Sequence, residues 1–315
     1  MPKNVEVTTN NPAGVSFFSP KFEKFWRIHE RVMQPLTGEN GFDFGTIQKD
    51  KLNQTDIGGV MAAMHVESHN PVYTEELQRK FRHDFEMAAF IGTWSYEEMK
   101  HFYVLHEYAL ESGLVDPNEL AAELEITRAG PWGEDVRRYT EPQIYTYTMI
   151  QEQGTGRLYY LSAKQTEEPL LKRVYNYLSG DEYRHCEFYL YKGKQAIEKN
   201  PGVVPEMVEA AIQFEFPGPG FVYKYPEKKQ ALNEAAKPSI KDVASVVGRV
   251  GELFGTQRMI EIALDPANRR AFEEKYHVDI IQILRESAGQ AIKDALRSRL
   301  PFFSFPGSYP AGSTK

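Results

Sequence analysis

Two stretches of this chain repeat the same pattern of charged side chains at nearly the same spacing. Glu98-Met99-Lys100-His101 and Glu182-Tyr183-Arg184-His185 both read Glu-x-x-His. In a helix that spacing puts a carboxylate and an imidazole on one face. A single glutamate precedes each motif on the preceding predicted helix: Glu67 lies 31 residues before Glu98, and Glu152 lies 30 before Glu182. The motif glutamates are 84 residues apart and the single ones 85. Two helix pairs of matching length therefore each offer one Glu and one Glu-x-x-His. The fold class is all-α, with a four-helix bundle core whose six side chains turn inward.

The motif alone decides little, because a third copy exists, Glu274-Lys275-Tyr276-His277. It has no upstream glutamate; positions 242–246 supply only Asp242, and Arg269, Arg270 and Glu273 read as a solvated face. The repeat separates the first two copies from the third. Glu67, Glu98, Glu152 and Glu182 with neutral His101 and His185 sum to a charge that two divalent cations balance. Without metal, four buried carboxylates would repel one another and lose hydration. This is the ligand set of di-metal carboxylate bundles, and oxygen and imidazole donors without thiolate suit Fe or Mn, with zinc also compatible. The competing reading, a bundle whose acids face solvent, fits poorly with neighbours such as Tyr147, Ile150, Tyr177 and Leu178. Glu97 and Asp181 are expected to hydrogen-bond the histidine of the opposite helix and fix its tautomer. Lys100 and Arg184 read equally as ion-pair partners of that site or as solvated charges.

The 315 residues, 41% of them hydrophobic, suffice for one helical domain over 1–315. Its metal core is expected at about 56–199, followed by additional helices and an irregular tail over 200–315. Helices are expected from Pro20 to Val32, from Asp56 to near Asn70, and from Thr74 to Ser112, where Gly113 stops the chain. Asp116-Pro117 opens a short helix. Further helices are expected at Pro142–Ala163, at 169–199 behind an N-cap at Thr166, at Pro205–Phe214, at Lys241–Leu264 and at Pro266–Leu300. Gly154 and Gly156 weaken the helix that carries Glu152. Pro217–Gly220 lacks the preceding strand and the Gly-Lys-Ser/Thr of a phosphate loop. No apolar run is long enough to span a bilayer and the N-terminus lacks a signal-peptide core, so a soluble cytoplasmic protein is expected. A net charge of −7 argues against nucleic acid as a partner. The single cysteine, Cys186, excludes an internal disulfide and a Cys-rich cluster, and reads as a small buried side chain near the site.

At these residues the chain resembles the soluble acyl-ACP desaturases, ferritin-like di-iron carboxylate proteins, and most closely their actinobacterial branch. Glu97–His101 and Asp181–His185 match the family's Glu-Glu-x-x-His and Asp-Glu-x-Arg-His signatures. Glu67 with Pro71-Val72-Tyr73, and Gln151-Glu152-Gln153-Gly154-Thr155, match its other two motifs, and Ala163–Leu171 is similar as well. Lys100 stands where the family often has arginine. The match covers residues 56–195.

The resemblance implies two Fe ions held by Glu67, Glu98, His101, Glu152, Glu182 and His185, with Mn as an alternative. It implies an O2-dependent oxidoreductase that desaturates a fatty acyl chain on an acyl carrier protein, with electrons from a ferredoxin-type donor, in a homodimer. Thr155 and Asp181 are the implied catalytic residues. Thr155, one turn from Glu152, falls where the family has a hydroxyl on the oxygen-binding face; capping its own helix carbonyl is the alternative role. Two other readings stay open: a di-iron oxygenase acting on another small molecule, and a non-catalytic iron-binding helical protein. An elongated apolar cavity past the metal favours the first, a short polar pocket the second, no cavity the third. Met61, Met64, Trp94, Phe102, Met149 and Tyr159 are candidates for a substrate slot or for ordinary core. Arg137-Arg138, Lys224–Lys229 and Arg297–Arg299 are candidate carrier-docking patches.

Overall fold

Capping residues divide the chain into helices. The computed structural model describes residues 18–32, 41–129, 138–216, 222–277 and 279–282, and no strand occurs among them. The helices are α1 (Pro20–Val32), α2 (Gln54–Glu67), α3 (Asn70–Phe81), α4 (Phe85–Ser112), α5 (Pro117–Ala129), α6 (Glu141–Gln165) and α7 (Pro169–Lys199). They are followed by α8 (Val204–Ile212), α9 (Tyr225–Ala236), α10 (Ile240–Phe254), α11 (Thr256–Leu264) and α12 (Pro266–Tyr276). Asn53 and Asp56 form a capping box on α2, and Thr140 and Gln143 form one on α6.

Three expected boundaries move, each at a cap. The helix expected over Thr74–Ser112 is two helices, because Asp84 accepts from the Met87 N–H and starts α4 afresh. Pro71 meanwhile sits in the first turn of α3. The cap of α7 is Glu168, whose side chain accepts from Leu171 N, whereas Thr166 closes α6. The helix expected over Lys241–Leu264 breaks at Gly255, whose φ of 81° lies in the region that favours glycine. α9 is absent from the sequence reading altogether. Of Pro266–Leu300, α12 forms the start, and 283–300 lies outside the described residues, as do the tail and 217–220.

Helices α2, α4, α6 and α7 form a ferritin-like four-helix bundle, with α2 against α4 and α6 against α7. Five further helices flank it: α1 lies on α7, α3 on α4, α9 on α2 and α6, and α8 and α10 on α6, while α11 packs on α10 and α12. Close approach of α9 to α2 depends on small residues. A Cβ at Gly58 would lie 2.9 Å from the Ala231 Cβ, and one at Gly59 would lie 2.8 Å from that of Ala235.

The bundle interior is layered along its length. One apolar layer gathers Phe90, Ile91 and Trp94 of α4, Ile144, Tyr147 and Ile150 of α6, and Phe188 and Tyr189 of α7. Phe90 and Phe188 stack there with ring centroids 4.1 Å apart. The other layer gathers Val60 and Met64 of α2, Val104 and Leu105 of α4, Tyr159 of α6, and Val174 and Leu178 of α7. Residues 97–101, 152 and 181–185 fall between the two layers in every helix that carries them. A polar layer is therefore sealed by apolar ones on both sides.

Candidate metal centre

Glu67 is the last residue of α2, Glu98 and His101 are mid-α4, Glu152 is mid-α6, and Glu182 and His185 are mid-α7. All six side chains are buried. They form two groups that overlap. Glu67, Glu98, His101 and Glu182 can bring one donor atom each within 4.8 Å of one another, and so can Glu98, Glu152, Glu182 and His185. Glu98 and Glu182 belong to both, the arrangement of carboxylates that bridge two ions. The third motif is elsewhere: Glu274 of α12 and His277, which caps that helix, are exposed.

Both imidazoles turn Nδ1 into the cluster. His101 Nδ1 is 3.4 Å from Glu182 and 3.6 Å from Glu98, and His185 Nδ1 is 3.1 Å from Glu98 and 3.3 Å from Glu152. Metal–ligand bonds of ~2.0–2.2 Å put neighbouring donor atoms on the order of 3–3.5 Å apart, so these separations suit a shared ion. Both Nε2 atoms point outward and donate across the bundle. His101 donates to Asp181 of α7 at 3.2 Å, and His185 to Glu97 of α4 at 2.7 Å. With the proton held on Nε2, Nδ1 of a neutral ring presents its lone pair to the cluster.

Several partners fix these outer carboxylates. Arg184 bridges Glu97, at 3.0 Å, and Asp181. His29 of α1 donates to the other side of Glu97 at 2.7 Å. Lys100 is neither ion-paired nor solvated: its buried ammonium has no hydrogen-bond partner among the described residues and lies 5.2 Å from the Tyr177 ring. Burial lowers its pKa.

Two of the inner carboxylates are held by aromatic donors. The Tyr159 hydroxyl donates to Glu67 at 2.7 Å and the Trp94 indole to Glu152 at 3.1 Å. Both residues were slot candidates, and Trp94 instead holds a carboxylate. His29 was missed altogether. Its only sequence signal is a polar residue on the buried face of α1.

Electrostatics describe a site short of positive charge. Burial, reinforced by Glu98 and Glu182, pushes Glu67 well above the usual carboxylate range, and burial with Glu182 does the same to Glu152. Burial also opposes charge on His101 and His185, yet the surrounding carboxylates outweigh it and raise both well above 6.5. His101 Nδ1, Glu98 Oε1 and Glu182 Oε1 find no hydrogen-bond partner among the described residues. Unpaired donors of this kind, buried and converging, are what a metal ion satisfies. The residues fit two divalent ions.

Gly156 sets the distance between α6 and α7 at this layer. A Cβ there would lie 3.0 Å from the Glu182 Cβ and 3.2 Å from the Tyr183 ring. Cys186 belongs to neither group; its thiol faces Gln153 at 3.6 Å, and burial pushes its pKa up to about 12.

Beside the cluster lies a largely apolar cavity of about 210 Å3 that reaches Glu67 and Tyr159. Ala62, Val66, Leu158, Leu232 and Val246 line it, as does half-buried Thr155. Of the slot candidates only Tyr159 lines it. Met64, Met149 and Trp94 are packed into the bundle, which leaves the cavity to the groove that α9 and α10 form against α2 and α6. Lys228 and Lys229 border it, Lys228 being paired with Glu123 at 2.8 Å. Arg137 and Arg297–Arg299 lie outside the described residues. No described helix is long and apolar enough to cross a membrane.

Comparison with known proteins places this arrangement in a family. The profile of the family described as fatty acid desaturase matches residues 60–262. Two Mycobacterium tuberculosis proteins, DesA1 of strains CDC 1551 and H37Rv, bear the name "putative acyl-[acyl-carrier-protein] desaturase" and are 23% identical over 207 residues. The match takes in 62% of this chain and 61% of theirs, so it spans under two thirds of those relatives' length. The X-ray structure of a protein described as "putative acyl-ACP desaturase DesA2", from strain H37Rv, superposes with a TM-score of 0.54 at 18% identity. That superposition covers 80% of this chain and 96% of DesA2, and shows a shared fold. With a matched segment that contains all six clustered side chains, the chain belongs to the fatty acid desaturase family.

Proposed function

We propose that this protein is an O2-dependent di-iron oxidoreductase that desaturates a fatty acyl chain on an acyl carrier protein. One observation carries the reading: an apolar cavity meets the carboxylate cluster at Glu67, beside Thr155 and Tyr159. A short polar pocket would have favoured oxidation of another small molecule.

When bound, an iron pair supplies the oxygen-dependent redox chemistry. The protein's part is to bind, orient and keep dry. Glu67 and His101 would hold one ion, Glu152 and His185 the other, and Glu98 and Glu182 both. Asp181 and Glu97 keep the proton on the Nε2 of His101 and His185, so that Nδ1 faces the metal. Tyr159 and Trp94 restrain Glu67 and Glu152. The apolar walls exclude water and align an alkyl chain beside the cluster. Thr155 borders that space, and its hydroxyl is the proposed hydrogen-bond donor on the side of the cluster that faces the cavity. Exposed Lys229 at the cavity edge suits the acidic surface of a carrier protein. A ferredoxin-type donor and a homodimer complete the proposal.

The test is to incubate the iron-loaded, reduced protein with O2 and acyl carriers, then analyse the released lipid. A new carbon–carbon double bond supports the reading. A hydroxylated product, or unchanged lipid with intact iron, contradicts it.

A further inference from the structure

A second apolar cavity, of about 430 Å3, adjoins the one at the metal residues. Phe216, Tyr225, Lys229, Val243 and Val246 line both, so the two share a wall. The second cavity touches none of the six clustered residues and extends among Phe254, Met259, Ile262 and Phe272. The metal-side cavity alone is smaller than the roughly 300–1,000 Å3 usual for a small-molecule site. An alkyl chain that fills the metal-side cavity therefore meets the shared wall.

Phe216 is one of the two aromatic side chains of that wall, with Tyr225, and the fold fixes it there. A Cβ at Gly154 would lie 2.4 Å from the ring's Cζ, so glycine is what lets the ring rest on α6. Phe214 meets the ring edge to face with centroids 5.1 Å apart, and packs in turn on Tyr147. The Tyr147 hydroxyl donates to the Glu215 carbonyl at 2.9 Å, and Lys275 donates to that of Gln213. Phe216 as a residue keeps 37% of its surface accessible and lines both cavities, so a chain can press on it.

We propose that Phe216, seated on Gly154, is the specificity-determining partition that sets how long an acyl chain the site accepts. It limits the chain to the metal-side cavity and closes off the second one. The proposal rests on the acyl reading above, and it deepens that reading by naming the residue that measures the substrate.

The experiment is displacement of an apolar fluorescent dye from the metal-loaded protein by saturated fatty acids of increasing length. Wild type gains affinity with each carbon up to a limit and then levels off. Phe216→Ala moves that limit to longer chains, each added methylene tightening binding by roughly fourfold. Phe216→Trp moves it to shorter ones. Helical circular dichroism and iron content check that each variant is folded. An unchanged limit in folded Phe216→Ala and Phe216→Trp overturns the partition while leaving the acyl reading intact. Failure of every chain to displace the dye, in wild type and variants alike, overturns both.

Discussion

Glu97 on α4 accepts a hydrogen bond at 2.7 Å from Nε2 of His185 on α7, and the same carboxylate accepts from His29 and Arg184. Burial opposes its charge, but His185, His29 and Arg184 outweigh burial and hold it well below the usual carboxylate range. An anion is thus fixed behind the imidazole whose other nitrogen faces the carboxylate cluster. Glu97→Gln keeps the size and removes the charge. Iron affinity is expected to fall by about 10–100-fold, read by competition with a chelator. An unchanged affinity would leave Glu97 a purely structural residue.

Close packing at Gly156 makes a second prediction. Gly156→Ala is expected to destabilise the fold by about 1–3 kcal/mol, because the new methyl meets Glu182 and the Tyr183 ring. Gly248 of α10 has nothing within 4 Å of a built Cβ. Gly248→Ala should therefore stabilise by up to ~1 kcal/mol through helix propensity alone. Denaturant midpoints of the two variants should move in opposite directions.

How much of this was legible in the sequence differs from residue to residue. The bundle and the convergence of its charged layer were legible, because i, i+3 spacing and an 84/85-residue repeat are local regularities that survive folding. The resemblance to the desaturases followed from the same motifs. The break at Asp84 was not legible, since an acid followed by an apolar run reads as continuous helix until its cap is seen. α9 was missed because its small residues, Ala231 and Ala235, show no apolar stripe; they matter only against Gly58 and Gly59. His29, Trp94 and Tyr159 were unreadable as carboxylate partners because each contact joins elements 58 or more residues apart. Gly154 and Gly156 read as helix weakness, and prove to be the points of closest approach for Phe216 and Glu182.

Buried His65 provides a pH-dependent test of the α2–α5 contact. Its Nδ1 hydrogen-bonds to Thr127 at 2.7 Å, and Glu123 lies 3.4 Å from Nε2. Burial, helped by the nearby Lys228 charge, lowers its pKa from 6.5 to about 4. The unfolded chain therefore takes up this proton before the folded one does. Stability is full above about pH 6.5 and declines as pH falls toward 4, by on the order of 2–3 kcal/mol. His65→Gln should lose that part of the slope between pH 7 and 4 in urea unfolding. Parallel pH profiles for wild type and variant would contradict the assignment.

The shared positions of Glu98 and Glu182 lead to the most direct measurement, iron content per folded chain. Wild type should bind about two irons, one for each of the two overlapping groups. Glu67→Ala and Glu152→Ala should each keep about one, since each of those residues belongs to a single group. Glu98→Ala and Glu182→Ala should lose both, and Glu274→Ala, on the exposed third motif, should keep the wild-type content. Loss of iron in Glu274→Ala, or full retention in Glu98→Ala and Glu182→Ala, would contradict the account.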